Sequence, residues 1–137
     1  MSHAQDGIQV YGESAMYGQG KLPFSPAIRV PAGYDLIFVA GCLGPTTPDD
    51  ADPAIEREVS RAFSFLEKSL ADAGASFSDV VHLTKYVTDM DAVNPFLAQA
   101  IYDNFPTLPA SATVEVSRLV PKGLHVEISA IAALPPR

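Results

Sequence analysis

The sequence predicts a single α+β domain in which two helices lie against one side of a β-sheet. Three observations support this fold class. Segments with the alternation of β-strands lie early, in the middle and at the end of the chain. One long segment between them repeats apolar residues with a helical period. The 137 residues, 47% of them hydrophobic, can form one core but are too few for two domains. The expected order is ββ-α-β-α-ββ within one domain, residues 1–137.

The N-terminal part is expected to be irregular over residues 1–20, apart from a short strand near residues 8–11. AIRV (27–30) and DLIFVAGCLG (35–44) then flank a turn at Pro31-Ala32-Gly33, so we expect them to pair as a hairpin. The run from Leu36 to Val39 is continuously apolar, which is typical of a strand buried on both faces. A polar loop, PTTPDDADP, follows.

The clearest helix is expected to begin at Asp52, an N-cap residue followed by Pro53 at the first helical position. Gly74 is expected to end it. Its apolar stripe consists of Ile55, Val59, Ala62, Phe63, Leu66, Leu70 and Ala73. The solvated side is expected to carry Glu56, Arg57, Glu67 and Lys68.

A strand is predicted within DVVHLTKYVTDM (79–90), where alternation groups Lys85 with three apolar residues, Val81, Leu83 and Val87. A second, less regular helix is predicted from Asp91 or Pro95 to Asn104. SATVEVS (111–117) and LHVEISAIAAL (124–134) are the last two strands.

The last two strands are expected to form a hairpin with one apolar and one polar face. Alternation places Ser111 and Thr113 on the polar side of the first strand and Glu127 on the polar side of the second. Since the helices need the apolar face, the polar face is left for water, a ligand or another subunit.

Composition argues against several functional classes. The net charge of −7 and the nine scattered basic residues disfavour nucleic-acid binding. No apolar run approaches the roughly 20 residues of a membrane span, and the N-terminus lacks the pattern of a secretory signal. The lone cysteine, Cys42, fits a reducing cytoplasm. The three histidines and Cys42 lack zinc-type spacing, and there is no phosphate-binding glycine loop, so we expect no metal and no cofactor.

Three segments, GCLG, AGASFSDVVHLTKYVTDM and PASATVEVSRLVPKGLHVEISAIA, resemble the reactive-intermediate deaminase family, RidA or YjgF, and the resemblance spans residues 22–132. It implies a chorismate-mutase-like subunit and a homotrimer with a central barrel and small-molecule pockets between subunits. Members of the family hydrolyse enamines and imines with water and no cofactor. The ribonuclease activity sometimes ascribed to the family fits this acidic chain poorly.

The resemblance also implies site residues. The family's water-positioning glutamate falls on Glu127, and the arginine that binds the substrate carboxylate falls on Ser111. The expected pocket therefore lacks the family's arginine, and whether another basic residue replaces it stays open. Its substrate-binding residues are Ser111, Thr113, Cys42, Gly41, Phe24 and Gln99, with Tyr17 as a further aromatic candidate.

Each candidate also has a purely structural interpretation. Glu127 could be an interface carboxylate, Cys42 a small buried hydrophobic residue, Phe24 a core residue, and Ser111 with Thr113 ordinary strand residues. The first functional hypothesis is a deaminase-like hydrolase in which Glu127 activates water. The alternative is a non-catalytic trimer that binds a metabolite or has a regulatory role.

Overall fold

A computed structural model describes residues 7–12, 22–45 and 54–137. The predictions for Tyr17, Asp52 and Pro53 lie outside these ranges. In chain order the elements are β1 (Gln9–Tyr11), β2 (Ala27–Arg29), β3 (Asp35–Leu43), α1 (Ala54–Asp72), a 3₁₀ turn (Phe77–Asp79), β4 (Val80–Val87), α2 (Met90–Asn104), β5 (Ala110–Glu115) and β6 (Val126–Leu134).

The main sheet has the strand order β3-β6-β4-β5. β6 is antiparallel to both β3 and β4, whereas β5 is parallel to β4. Both helices pack on one face of this sheet, and α1 also packs against α2. The predicted class, an α+β fold with a mixed, mainly antiparallel sheet, is therefore confirmed.

Two predicted pairings are wrong. β2 pairs with β1 in a separate two-stranded sheet, and β3 pairs with β6 instead. β5 and β6 do not form a hairpin, because β4 lies between them. The reason is that α2 connects β4 to β5 as a crossover, and a crossover places the second strand parallel to the first.

The helix predictions agree with the structure except at Ala73, which was expected in the apolar stripe but lies beyond the end of α1 and is exposed. Gly74, with φ of +85°, ends α1, and the N–H of Ala75 beyond it donates to the carbonyl of Leu70 at 2.8 Å. The four charged residues expected on the solvated side are exposed. α2 begins at Met90, before both predicted starts, because Asp89 caps it by accepting a hydrogen bond from the N–H of Ala92.

Candidate functional site

The predicted site residues of β5 and β6 lie on opposite faces of the sheet. Glu127 is paired with Tyr86 of β4, on the face away from the helices, which we call the open face. Ser111 is paired with Leu83, a fully buried core residue, so Ser111 and Thr113 lie on the helix side. The prediction of one polar face shared by Ser111, Thr113 and Glu127 is wrong. It depended on a hairpin, whereas parallel pairing with β4 fixes the orientation of β5.

Glu127 lies against the backbone of β3 at Gly41. The register between β3 and β6 is irregular between Val39 and Cys42, and Gly41 lies within this bulge. A β-carbon at Gly41 would be 2.2 Å from Oε2 of Glu127, so only glycine leaves room for the carboxylate in this position. The side chain of Glu127 is half-buried, and the structure brings Gly41 and Glu127 together as predicted.

Cys42 faces the core. It is paired with Ile128, belongs to the buried cluster, and its Sγ donates to the carbonyl of Ala40 at 3.4 Å. Burial, with a smaller effect of the Glu127 carboxylate, raises the pKa of the thiol. Cys42 also borders a groove of about 310 Å³ between β3 and α1, but Glu127 does not line that groove. These observations favour the interpretation of Cys42 as a buried apolar residue over a nucleophile.

Ser111 contacts a lysine that is buried in the sheet. Lys85 of β4 is 4% exposed, and its Nζ donates to Oγ of Ser111 at 3.3 Å. Thr113 is the strand partner of Lys85 on β5. Burial lowers the pKa of the ammonium to about 8. A lysine, and not an arginine, thus lies beside Ser111, and the arginine-free pocket stays a prediction.

Phe24 precedes a residue that is hydrogen-bonded to the start of β5, and Gln99 lies on α2. The segment that holds Phe24 is fixed beside the entry to β5, because the hydroxyl of Ser25 donates to the carbonyl of Leu108 at 2.5 Å. Gln99 lies in a groove of about 440 Å³ between α1 and α2, where its Nε2 donates to Oδ1 of Asp103 at 2.8 Å. Neither Ser111 nor Glu127 lines that groove. It is therefore not the predicted pocket, although it is larger than the groove beside Cys42.

Sequence reasoning missed Glu58, which anchors the strand that carries Glu127. Glu58 is 2% exposed on α1, and its Oε2 accepts hydrogen bonds from the backbone N–H groups of His125 at 2.6 Å and Val126 at 2.9 Å. Its Oε1 lies 2.9 Å from Nδ1 of His125. The helical period gave a signal for this role, because Glu58 lies three residues after Ile55 and four before Ala62, both in the apolar stripe. These contacts hold the start of β6 directly before Glu127.

Within the three described ranges, no group of three or more histidine, cysteine or acidic residues is placed to hold a metal ion. No helix in those ranges is long and apolar enough to cross a membrane.

Comparisons with known proteins identify the family. Residues 19–134 match the family model described as Endoribonuclease L-PSP. The chain is 36% identical over 115 residues to a RutC family protein of Pyrococcus abyssi, covering 80% of this chain and 85% of the relative. It is 30% identical over 115 residues to the human 2-iminobutanoate/2-iminopropanoate deaminase, covering 80% and 79%.

A solved structure gives the same result. The crystal structure of a YjgF/YER057c/UK114 family member from Mycobacterium tuberculosis is 30% identical, with a TM-score of 0.60, and the match covers 93% of this chain and 100% of that one. Some relatives in this family carry the name of imine deaminases. The fold, the family-model match and the relatives together show that the chain belongs to the RidA/YjgF family.

Proposed function

We propose that this protein is a hydrolase that cleaves the C=N bond of a small imine, or of the enamine that tautomerises to it. The placement of Glu127 carries this proposal. Its carboxylate is half-buried on the open face, held against Gly41, on a strand anchored by Glu58. A fixed, partly desolvated carboxylate can accept a proton from water, which is the requirement for general-base catalysis. The name of the human relative supports the same chemistry.

The proposed reaction uses only water as its second reactant. Glu127 takes a proton from water while the water oxygen bonds to the imine carbon, and the C=N double bond becomes a single bond to nitrogen. That proton then passes from Glu127 to nitrogen, which gives a carbinolamine. Glu127 next takes the proton of the new hydroxyl group and gives it to nitrogen, the C–N bond breaks, and ammonia leaves as the carbonyl forms. An enamine enters the same path after protonation of its carbon.

We also propose that the active form is a homotrimer with pockets between subunits. Phe38 of β3, paired with Ile131 on the open face, is 72% exposed, and Val114 of β5, paired with Tyr86, is 43% exposed. Large apolar side chains at this exposure are typical of a surface that another protein covers. Since the sheet separates Ser111 from Glu127 within one chain, a pocket between two copies is the arrangement that could bring these residues together.

The test is ammonia release from imines generated in solution. An amino-acid oxidase acting on alanine supplies 2-iminopropanoate, and an amine oxidase acting on benzylamine supplies a neutral aromatic imine. We expect the protein to accelerate release from at least one of them, and Glu127→Gln to reduce the acceleration about 10²–10⁴-fold. Glu56→Gln, on the exposed side of α1, is the matched control. Equal activity of Glu127→Gln and the native protein would overturn the assigned role.

The separation of Ser111 from Glu127 also favours a second candidate, a trimeric metabolite-binding or regulatory protein without turnover. Saturable binding of a small carboxylic acid, with no acceleration of ammonia release from any imine in the panel, would support this candidate over the hydrolase.

A further inference from the structure

The groove of about 440 Å³ between α1 and α2 lies on the side of the sheet opposite to the open face. Its floor is aromatic and consists of the side chains of Phe63, Phe77 and Phe96. Its rim is acidic, with exposed carboxylates on both helices, among them Glu67 of α1 and Asp103 of α2. None of the residues that line it in the described ranges is a lysine or an arginine. The groove therefore combines an apolar centre with a negative border.

The aromatic floor is held in place by the ring of Phe105, which is buried. This ring makes edge-to-face contacts with those of Phe63 and Phe77, at centroid distances of 6.1 and 5.2 Å. Phe63 and Phe77 also contact each other, with ring centroids 6.4 Å apart. Such contacts stabilise aromatic pairs beyond the effect of the area they bury. Because the floor is already ordered, another apolar surface can bind to it at a low entropic cost.

The carboxylates of the rim can accept further hydrogen bonds. Glu67 forms no salt bridge with a described residue. Asp103 accepts from Nε2 of Gln99 through Oδ1 at 2.8 Å, which leaves its Oδ2 available. Carboxylates on both sides of an apolar floor attract a partner that carries positive charge beside apolar groups.

The groove fits a helix better than a strand or a small molecule. Its lining residues belong to α1, α2 or the 3₁₀ turn, so it offers no sheet edge for strand addition. Exposed residues border it on both helices, including Ser60, Ser64 and Gln99. A small molecule would therefore keep much of its surface in water, whereas small-molecule sites enclose most of the ligand. An amphipathic helix needs to bury only its apolar face and keeps its charged sides at the rim.

We propose that the groove between α1 and α2 binds a basic amphipathic helix of another protein. Apolar side chains of this helix pack on Phe77 and Phe96, and lysine or arginine side chains on its flanks pair with Glu67 and Asp103. A trimer formed through the open face leaves the groove accessible, because the helices lie on the other face of the sheet. The proposal goes beyond the proposed hydrolysis, since it concerns a surface on the other side of the sheet from the hydrolytic carboxylate.

Fluorescence anisotropy of labelled peptides, titrated with the full chain, tests the groove. The first peptide has about 18 residues, enough to form a helix, with leucines on one helical face and lysines on its flanks. A second peptide has the same composition in an order without an apolar face, and a third has glutamate at each lysine position. We expect the first peptide to bind saturably and the other two to bind at least about tenfold more weakly.

Charge reversal on each helix tests where the peptide binds. Glu67→Lys and Asp103→Lys should each weaken binding of the first peptide about 3–10-fold, because a favourable charge pair becomes a repulsive one. Both positions are exposed, so the fold should tolerate the substitutions. Asp72→Lys, at an exposed position of α1 outside the groove, makes the same change in charge and is the matched control. It should bind the first peptide like the native chain.

Failure of the first peptide to saturate the native chain would overturn the proposal, as would equal affinity of the native chain, Glu67→Lys and Asp103→Lys for it. Equal binding of the first and second peptides would also refute it, because the groove would then respond to charge alone, as a site for a small organic cation does. In amide NMR spectra of the native chain, the first peptide should shift the resonances of Gln99 and Ala100. Changes confined to the open face would place the peptide elsewhere and contradict the site.

Discussion

Replacing Glu58 with alanine tests how the strand that carries Glu127 is held in place. One carboxylate oxygen of Glu58 accepts two backbone hydrogen bonds at the start of β6, from His125 and Val126, and the other contacts the His125 ring. Alanine removes all three contacts. Val126 is fully buried, so its N–H would have no water to replace the lost acceptor.

The expected loss of stability follows from these contacts. A hydrogen bond to a charged group contributes about 1.5–3 kcal/mol, and a buried donor left without an acceptor costs about 1–3 kcal/mol. The His125 side chain is 39% exposed and can turn to water, so its contact adds little. We therefore expect Glu58→Ala to lower the free energy of unfolding by about 3–5 kcal/mol. Glu58→Gln should cost about 1–2 kcal/mol, because its amide can accept from both N–H groups and donate to the imidazole.

Urea unfolding followed by circular dichroism measures these differences, with all variants at one protein concentration so that the proposed subunit association would affect them equally. Glu56→Ala, two residues earlier on the exposed side of α1, should change stability by less than about 0.5 kcal/mol. A loss below about 1 kcal/mol in Glu58→Ala would refute the anchoring role, and so would an equal loss in Glu56→Ala.

Three further predictions test the site and its surroundings. Gly41→Ala should displace the Glu127 carboxylate and lower the rate of imine hydrolysis about tenfold or more, with little change in the urea midpoint. It should have no further effect on the rate when added to Glu127→Gln, and full turnover of Gly41→Ala would contradict the contact. The pKa of Lys85 is about 8 in the folded chain and 10.5 in the unfolded chain, so the unfolded chain binds the proton more tightly between pH 8 and 10.5. Over that range the free energy of unfolding should therefore rise by up to about 3 kcal/mol relative to that of Lys85→Met. If the free energies of unfolding of the native chain and Lys85→Met changed equally from pH 8 to 10.5, the pKa of Lys85 would not be depressed. If the proposed trimer forms through the open face, Phe38→Asp should produce monomers in analytical ultracentrifugation, whereas Val120→Asp, at an 87% exposed position away from the strands, should leave it intact.

The helices and the extent of most strands could be predicted from local sequence. The α1 stripe, its end at Gly74 and the alternation in β4 and β6 are properties of neighbouring residues, and burial follows the same period in the structure. The bulge that brings Gly41 against Glu127 gave no comparable signal. It depends on how β3 and β6 align, which the sequence of either strand alone does not specify.

Strand pairing is where local reasoning failed, and the failure decided which face each site residue occupies. SATVEVS and LHVEISAIAAL follow each other in the chain, and each alternates polar with apolar residues. Consecutive strands commonly pair. A hairpin would have placed Ser111 and Glu127 on one face. The crossover through α2 instead places β5 beside β4, and the partner of Ser111 becomes Leu83. Because β5 pairs with β4 and not with β6, Ser111 and Thr113 lie on the opposite side of the sheet from Glu127.

Lys85 shows what an interrupted pattern can reveal. A lysine among Val81, Leu83 and Val87 was visible in the sequence, and a long charged side chain at a core position needs either a partner or a function. Its partner could not be identified from β4 alone, because the contact to Ser111 arises from the parallel register with β5. A position-by-position comparison of this sequence with the family's pattern shows only that Ser111 stands where the family has an arginine. The register shows that Lys85 of β4 brings a positive charge beside Ser111 of β5.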